Sequence, residues 1–270
     1  MSAVLEVEAP SPGVALLRLN RPERLNALNH ELVGALEEAC SYLGEDAATR
    51  AVVLTGAGRG FCSGLDVRDF GPGLPGATAA VAEQMRFQER MGSLPVRLRS
   101  LPQPVVAAVN GACVGGGFAL CLGADVRLCS TAATFANAAI LLGLSGAEMG
   151  MSYHLPRIVG TTVAADWMLS GRLVSAEEAD RRGLVSQLVE PEHLVERAVE
   201  LAAQIAEHPP FAVEMTKRAL QVNTDAPDIE AALAVENRTQ VLTFVTDESV
   251  ERRENWQSGR HPTSAPHLPR

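Results

Sequence analysis

The sequence predicts an α/β protein whose C-terminal third is helical. Short apolar runs bounded by glycine or proline, such as residues 51–55 and 104–109, have the length and composition of buried strands. Helical patterns separate these runs, and this alternation favours a sheet in which each helix crosses over to a later strand. Over residues 194–250, apolar side chains recur at helical spacing with few interruptions, which predicts a helical region without strands.

The predicted strands are short, and most of them end at a turn rich in glycine, asparagine or proline. A glycine-rich loop is expected over residues 56–76, directly after the second strand. The strands span residues 14–19, 51–55, 104–109, 126–129 and 184–189.

Capping residues and prolines set the limits of the predicted helices. Asn29 is placed to cap a helix that reaches Leu43, because its side-chain oxygen can accept from an N–H of the first turn. Residues 175–178 (SAEE) form a capping box that opens a short helix. A further helix is predicted over 78–91, and Pro95 is expected to interrupt the next helical stretch.

Composition and charge exclude several classes of function. The 270-residue chain has a net charge of −9, so it lacks the basic character that nucleic acid or an anionic membrane requires of a partner. Five cysteines without CxxC spacing indicate reduced thiols in a cytoplasmic protein, with no zinc site. The first residues lack the features of a signal peptide, and no apolar run is long enough to predict a membrane span.

Two loops that contain glycine follow predicted strands. Residues 61–66 read FCSGLD, and residues 110–117 read NGACVGGG before a helix N-terminus. Glycine permits close backbone approach, and unpaired N–H groups at a helix start attract negative charge. If the loops face each other, two backbone N–H groups form an oxyanion hole; if they do not, each is a tight turn only. Neither loop matches a lysine-containing phosphate loop or a dinucleotide fingerprint.

These loops belong to an ordered set of motifs along the chain. Residues 20–28 read NRPERLNAL, and residues 103–111 read QPVVAAVNG immediately before the segment with the triple glycine. The set resembles the crotonase family, which comprises the enoyl-CoA hydratases and isomerases, and the resemblance covers about residues 4–258. The remaining motifs in family order are VVLTG at 52–56, LLGL at 141–144, LPRIVG at 155–160, LSGR at 169–172 and AEEA at 176–179.

The resemblance implies a crotonase-like spiral of ββα units with an all-helical C-terminal oligomerisation region. On this basis we expect an acyl-CoA-binding core over 1–192, a helical trimerisation region over 193–258 and a flexible tail over 259–270. It also implies that the chain forms a homotrimer or a dimer of trimers.

The resemblance implies an acyl-CoA thioester as substrate, with no separate cofactor and no metal. By position in the motifs, the backbone N–H groups of Leu65 and Gly116 form an oxyanion hole for the thioester enolate. Arg24, which would otherwise be a solvated surface arginine, matches the segment that contacts the nucleotide end of CoA. The other residues assigned to substrate or CoA binding are Leu25, Ala27, Ser63, Asp66, Val67, Gly115 and Ala139.

The catalytic positions depart from the family pattern. Hydratases carry glutamates where this chain has Ala119 and Ala139, and alanine can transfer no proton. Glu148 remains as the candidate proton shuttle, because its place resembles that of an acid in members that isomerise dienoyl-CoA. Its small and apolar neighbours favour a raised carboxyl pKa. The other interpretation is that Glu148 supports the start of the following helix.

Two hypotheses of function follow from these residues. The first is an enzyme of the enoyl-CoA hydratase/isomerase type with an atypical acid/base set, in which a single acid suits isomerisation better than hydration. The second is a non-catalytic acyl-CoA-binding protein, which the two alanines favour.

Overall fold

The structure is a computed structural model that describes residues 3–68, 81–258 and 260. Contacts divide the chain into two compact units, Met1–Ala203 and Gln204–Arg270. The last part of the predicted glycine-rich loop, the predicted helix start at Thr78 and the predicted tail, apart from Arg260, lie outside the described residues. None of the helices in the described ranges combines the length and the apolar character that crossing a bilayer demands.

The first unit is built on two sheets, which confirms the predicted α/β class. One sheet has six strands in the order β1-β2-β3-β5-β7-β10, and the other has four in the order β4-β6-β8-β9. The strands are β1 (Leu5–Ser11), β2 (Val14–Leu19), β3 (Ala51–Gly56), β4 (Gly60–Cys62), β5 (Val105–Val109), β6 (Ala112–Val114), β7 (Val126–Ser130), β8 (Thr134–Ala136), β9 (Val174–Ser175) and β10 (Gln187–Val189).

Successive strand pairs give the fold its spiral form. The pairs β3 and β4, β5 and β6, and β7 and β8 each contribute one strand to each sheet, and the next pair lies parallel beside it. Strands β3 and β5 are completely buried, which agrees with their mostly apolar sequences; the one polar side chain, Thr55, donates to Ala108 O at 2.8 Å. The crotonase-like spiral expected from the resemblance is therefore confirmed.

The described residues form ten α-helices, of which α8, α9 and α10 belong to the second unit. The predicted cap of the first helix is confirmed, because Leu32 N–H donates to Asn29 Oδ1 at 2.9 Å. The helices are α1 (His30–Glu45), α2 (Val81–Ser100), α3 (Gly116–Gly123), α4 (Met151–Val159), α5 (Thr161–Ser170), α6 (Ala176–Arg181), α7 (Leu194–Ala206), α8 (Pro210–Asn223), α9 (Ile229–Phe244) and α10 (Asp247–Gln257).

The prediction that Pro95 interrupts a helix was wrong, because α2 continues through it to Ser100. A proline removes one backbone hydrogen bond from a helix, but packing can offset that loss. Here Pro95 is buried against α3: a Cβ atom added at Gly123 would lie 2.8 Å from the Cα of Pro95. The close packing of α2 on α3 holds the helix in one piece.

The second unit contains the end of α7 and the helices α8, α9 and α10, as the helical pattern after residue 194 predicts. The division between the units falls inside α7, whereas the sequence placed the start of the helical region at residue 193. Helices α8 and α9 pack against each other, and many of their apolar side chains remain exposed. The trimerisation role of this region stays a prediction.

Candidate active site

A cavity of about 450 Å³ lies within the first unit, and every residue that the sequence assigned to the site lines it. The cavity collects residues from five separate stretches of the chain, which the fold brings together. The predicted site residues around it are Arg24, Leu25, Ala27, Ser63, Leu65, Asp66, Val67, Gly115, Gly116, Ala139 and Glu148.

The N–H of Leu65 is aimed by the bridge between residues 28 and 65. Leu28 N–H donates to Gly64 O at 2.7 Å, and Asp66 N–H donates to Leu28 O at 3.0 Å. Because successive peptide groups in an extended segment alternate in direction, the N–H of Leu65 points away from Leu28. Leu65 lines the cavity, so this orientation leaves its N–H available to a ligand.

The N–H of Gly116 is available for a different reason. Gly116 is the first residue of α3, where a backbone N–H has no partner within the helix. The preceding Gly115 has φ +52° and ψ −122°, a conformation that favours glycine. A Cβ atom added at Gly64 would lie 3.1 Å from Gly116 N, so the two loops are in van der Waals contact. The loops therefore face each other, as an oxyanion hole requires.

Glu148 lies directly beside the Gly115–Gly116 loop. A Cβ atom added at Gly115 would lie 3.2 Å from Oε1 of Glu148, so no side chain separates the carboxylate from the Gly115 backbone. Glu148 is half-buried, and this burial raises the pKa of its carboxyl group. A carboxyl with a raised pKa binds and releases a proton closer to neutral pH, which suits general acid and base chemistry.

The two alanines occupy different environments. Ala139 lines the cavity, in the 3₁₀ helix Ala138–Leu142. Ala119 is 1% exposed within α3 and is absent from the cavity wall formed by the described residues. Neither residue can exchange a proton. The acids among the described residues that line the cavity are Glu23, Asp66 and Glu148, and Glu148 is the one whose carboxylate lies against the Gly115 backbone.

Three arginines give the cavity a cationic part. They are Arg24, Arg59 and Arg68, and Arg59 and Arg68 are solvent-exposed. The Nη1 atom of Arg24 is buried, and no described residue accepts a hydrogen bond from it. A buried cationic donor without an acceptor carries a desolvation cost that an anionic ligand would offset.

The carboxylate of Asp66 is engaged within the protein. It accepts from Nη2 of Arg21 at 2.9 Å, and both side chains are almost completely buried. Arg21 also donates from Nη1 to the carbonyl oxygen of Ala27. Asp66 thus lines the cavity, and its ion pair with Arg21 links residues 21–27 to the loop that carries Leu65. Direct contact between Asp66 and the substrate stays a prediction.

The cysteines do not supply a nucleophile. Cys62, next to the cavity, is completely buried, and burial raises the pKa of its thiol to about 12. A thiol with so high a pKa stays protonated at neutral pH and is unreactive. Among the described residues, no three His, Cys, Asp or Glu side chains are grouped so that they could hold a metal ion.

Known proteins share this sequence and fold over almost their whole length. The family model described as enoyl-CoA hydratase/isomerase matches residues 10–262. A Mycobacterium bovis protein named "Probable enoyl-CoA hydratase echA12" is 42% identical over 92% of this chain and 88% of its own. The 1,2-epoxyphenylacetyl-CoA isomerase of Escherichia coli is 36% identical over 85% of this chain and 86% of its own. A crystal structure titled as a probable enoyl-CoA hydratase/isomerase from Mycobacterium abscessus has a TM-score of 0.87, at 38% identity over 96% of this chain and 97% of that chain.

The chain belongs to the enoyl-CoA hydratase/isomerase, or crotonase, family. Its substrates are accordingly acyl-CoA thioesters, the class that the resemblance implied.

Several residues that shape this crotonase-family site were not predicted from the sequence. Asn26 is fully buried, and its Nδ2 donates to the carbonyl oxygens of Ala57 at 2.9 Å and Gly60 at 2.8 Å. The sequence signal for these two hydrogen bonds was the polar Asn26 within the otherwise recognised NRPERLNAL motif. The cavity wall also includes residues that the sequence did not assign to the site. Glu23, Gly64, Val114, Leu142 and Leu144 lie within the quoted motifs, and Arg59, Arg68, Gln88, Met91 and Ala138 lie outside them.

Proposed function

We propose that this chain isomerises a carbon–carbon double bond in an enoyl-CoA thioester, with Glu148 as the proton shuttle. The observation that carries this proposal is the position of the Glu148 carboxylate beside the Gly115–Gly116 loop. A group that removes a proton next to a thioester carbonyl must lie close to the donors that hold the carbonyl oxygen. Glu148 meets this requirement, and the E. coli relative is named 1,2-epoxyphenylacetyl-CoA isomerase.

The reaction needs one proton to leave and one to return. The Glu148 carboxylate takes a proton from C2 of a 3-enoyl thioester, and the C–H electron pair moves into the conjugated system as the carbonyl oxygen gains charge. The N–H groups of Leu65 and Gly116 stabilise that dienolate oxygen, a contribution typically worth about 10²–10³ in rate for one donor. Glu148 then returns the proton to C4, which leaves the double bond between C2 and C3.

The cationic part of the cavity supports binding of the CoA portion. Arg24 has a buried Nη1 without a protein acceptor, and a phosphate oxygen of the CoA nucleotide is a suitable acceptor for it. Ser63 is held beside Arg24, because Ser63 N–H donates to Leu25 O at 3.0 Å. The two segments that the motifs assign to CoA are therefore next to each other.

A second candidate is an acyl-CoA-binding protein without turnover. The absence of a carboxylate at Ala119 and at Ala139 favours it, since the usual hydratase mechanism needs both groups. Glu148 separates the two candidates, because a protein that only binds thioesters needs no half-buried acid beside the proposed oxyanion hole.

Isomerisation by the wild-type protein is expected to be faster than hydration. Ala119 and Ala139 offer nothing that holds and activates a water molecule, whereas one carboxylate suffices to move a proton. The two reactions are distinguished by the ultraviolet absorbance of the conjugated thioester, with 3-enoyl-CoA for isomerisation and 2-enoyl-CoA for hydration. Calorimetric binding of acyl-CoA without turnover would favour the second candidate, and the lack of both binding and turnover would contradict both candidates.

We also propose that the chain assembles as a homotrimer or a dimer of trimers. Helices of the second unit expose an unusual number of large apolar side chains, and exposed patches of this kind are typical of interfaces. Light scattering at micromolar concentration is expected to give the mass of three or six chains, and a monomer would refute the proposal. The exposed apolar side chains include Phe211, Leu220, Val222, Ile229, Leu233, Val241, Leu242, Phe244, Val245, Val250 and Trp256.

A further inference from the structure

The end of strand β8 is bonded to both functional loops of the site. The carbonyl oxygen of Ala136, its last residue, accepts from Gly115 N–H at 2.9 Å, next to the oxyanion donor of Gly116. The side chain of the following residue, Asn137, donates from Nδ2 to Gly146 O at 2.7 Å. Gly146 lies two residues before Glu148. Ala136 and Asn137 therefore connect the loop that carries the Gly116 N–H to the loop that carries Glu148.

Asn137 has the surroundings of a fixed anchor. Its side chain is completely buried, and Gly146 is packed so closely that an added Cβ atom would lie 2.5 Å from Asn137 Nδ2. A carbonyl oxygen can only accept, so the amide nitrogen must be the atom that faces Gly146 O. The other amide atom, Oδ1, is buried and accepts no hydrogen bond from the described residues. Because Oδ1 has no partner among the described residues, the hydrogen bond from Nδ2 to Gly146 O is the one polar contact that they give this side chain.

The contacts around Met149 show how the rest of the Glu148 loop is held. Met149 has φ +46°, a backbone conformation that residues other than glycine rarely adopt, so this turn needs support from its neighbours. Its sulfur packs on the oxyanion loop, where a Cβ atom added at Gly116 would lie 2.9 Å from Sδ. On the other side, Met151 N–H donates to Glu148 O at 2.8 Å. The bond from Asn137 holds the N-terminal side of the same turn.

We infer that Asn137 is a positioning residue, which fixes the Glu148 carboxylate relative to the oxyanion hole through its hydrogen bond to Gly146. This inference rests on the proposed function, because it concerns the acid of that reaction. The carboxylate must reach both C2 and C4 of a substrate held by its carbonyl oxygen. A small displacement of the loop would therefore slow proton transfer more than it would weaken binding.

The test compares Asn137→Ala with Asn223→Ala in the full-length protein. Asn223 is the control: its half-buried side chain donates from Nδ2 to Ala232 O at 3.5 Å and to Glu236 Oε1 at 3.4 Å, its buried Oδ1 has no described partner, and it belongs to the second unit. Asn137→Ala is expected to lower kcat for 3-enoyl-CoA isomerisation by about 10- to 100-fold, with KM changed less than about 3-fold. Asn223→Ala is expected to leave both constants unchanged. If Asn137→Ala does not fold, Asn137→Leu keeps more of the side-chain volume while removing the donor.

Combination with Glu148→Gln shows whether Asn137 acts through Glu148. In a Glu148→Gln background, Asn137→Ala is expected to reduce turnover by less than about 2-fold, because the group that it positions no longer transfers a proton. Multiplication of the two losses, or normal kcat in Asn137→Ala alone, would overturn the inference while leaving the proposed function intact. Unchanged turnover in Glu148→Gln alone would instead overturn the proposed function.

A titration of the Glu148 carboxyl decides the inference without turnover. The ¹³C NMR signal of labelled glutamate, assigned by its loss in Glu148→Gln, is followed against pH. Loosening the loop admits water, so the pKa of Glu148 is expected to fall in Asn137→Ala and to stay unchanged in Asn223→Ala. An unchanged pKa in both variants would overturn the inference, even if the wild type turns over no thioester. The other titratable or charged groups that line the cavity are Glu23, Arg24, Arg59, Asp66 and Arg68, and α4, which follows Glu148, carries His154 and Arg157; all of them are retained in these variants.

Discussion

Glu148→Gln is expected to lower the turnover of an enoyl-CoA thioester by at least about 100-fold, the lower range for a general acid or base. Glutamine keeps the size of the side chain and its capacity for hydrogen bonds, but it has no carboxyl group that can take up and release a proton. The half-buried position of Glu148 therefore stays filled, and folding is expected to survive. Acyl-CoA affinity is expected to change little, because the arginines and the backbone N–H groups remain. The ultraviolet assay measures turnover, and calorimetry measures affinity.

Glu38→Gln is the matched control for this variant. Glu38 is an exposed glutamate on α1, outside the cavity, so its change should leave turnover unaltered. Fast hydration that survives Glu148→Gln would show that another base acts on the substrate. Loss of affinity together with turnover would show that Glu148 is needed for the architecture of the site rather than for proton transfer.

The dependence of turnover on pH is a second test of Glu148 as the base. Proton removal from C2 needs the carboxylate form of Glu148, so kcat/KM should rise as the pH rises through its pKa. Burial raises that pKa, and the acidic limb of the profile is therefore expected above the range of an exposed glutamate. This limb should be absent from the residual activity of Glu148→Gln.

Elements with a strong local signal could be predicted from the sequence, whereas the short strands β4, β6 and β8 could not. Strand β2 matches its predicted span, and α1 begins at its predicted cap, because apolar periodicity and capping chemistry are local signals. Strands β4, β6 and β8 have only three residues each, too few for a periodicity to emerge. They are stabilised by pairing with strands that are distant in sequence, and no local pattern records that pairing.

The same distinction applies to the site. The motifs of the family resemblance placed Leu65, Gly116 and Glu148 around one cavity, because family order carries information about tertiary structure. Asn137 was not predicted, since a buried asparagine after a short strand has the same sequence signature as a loop asparagine. Its importance depends on the position of Gly146, nine residues later, which only the folded chain defines. Arg21 is a second residue whose role only the folded chain defines, because its ion-pair partner Asp66 is distant in sequence.

Arg21→Ala is expected to lower the free energy of unfolding by about 3–5 kcal/mol, the usual cost of removing one partner from a buried ion pair. The change leaves the Asp66 carboxylate buried without its cation, and it also removes the donor to Ala27 O. Urea unfolding at one fixed protein concentration measures the loss. Arg18→Ala is the matched control: Arg18 pairs with Glu8 at 3.0 Å near the surface, and such pairs contribute about 0–1 kcal/mol.

A double variant separates the charge from the packing of this pair. Arg21→Met combined with Asp66→Leu removes both charges and fills most of the space, so it should recover most of the stability lost in Arg21→Ala. A loss below about 1 kcal/mol in Arg21→Ala would mean that the Asp66 carboxylate is hydrated in the folded protein. The expected larger loss would show that the loop carrying Leu65 is held by a buried charge pair, so that the stability of the fold and the geometry of the oxyanion hole depend on the same contact.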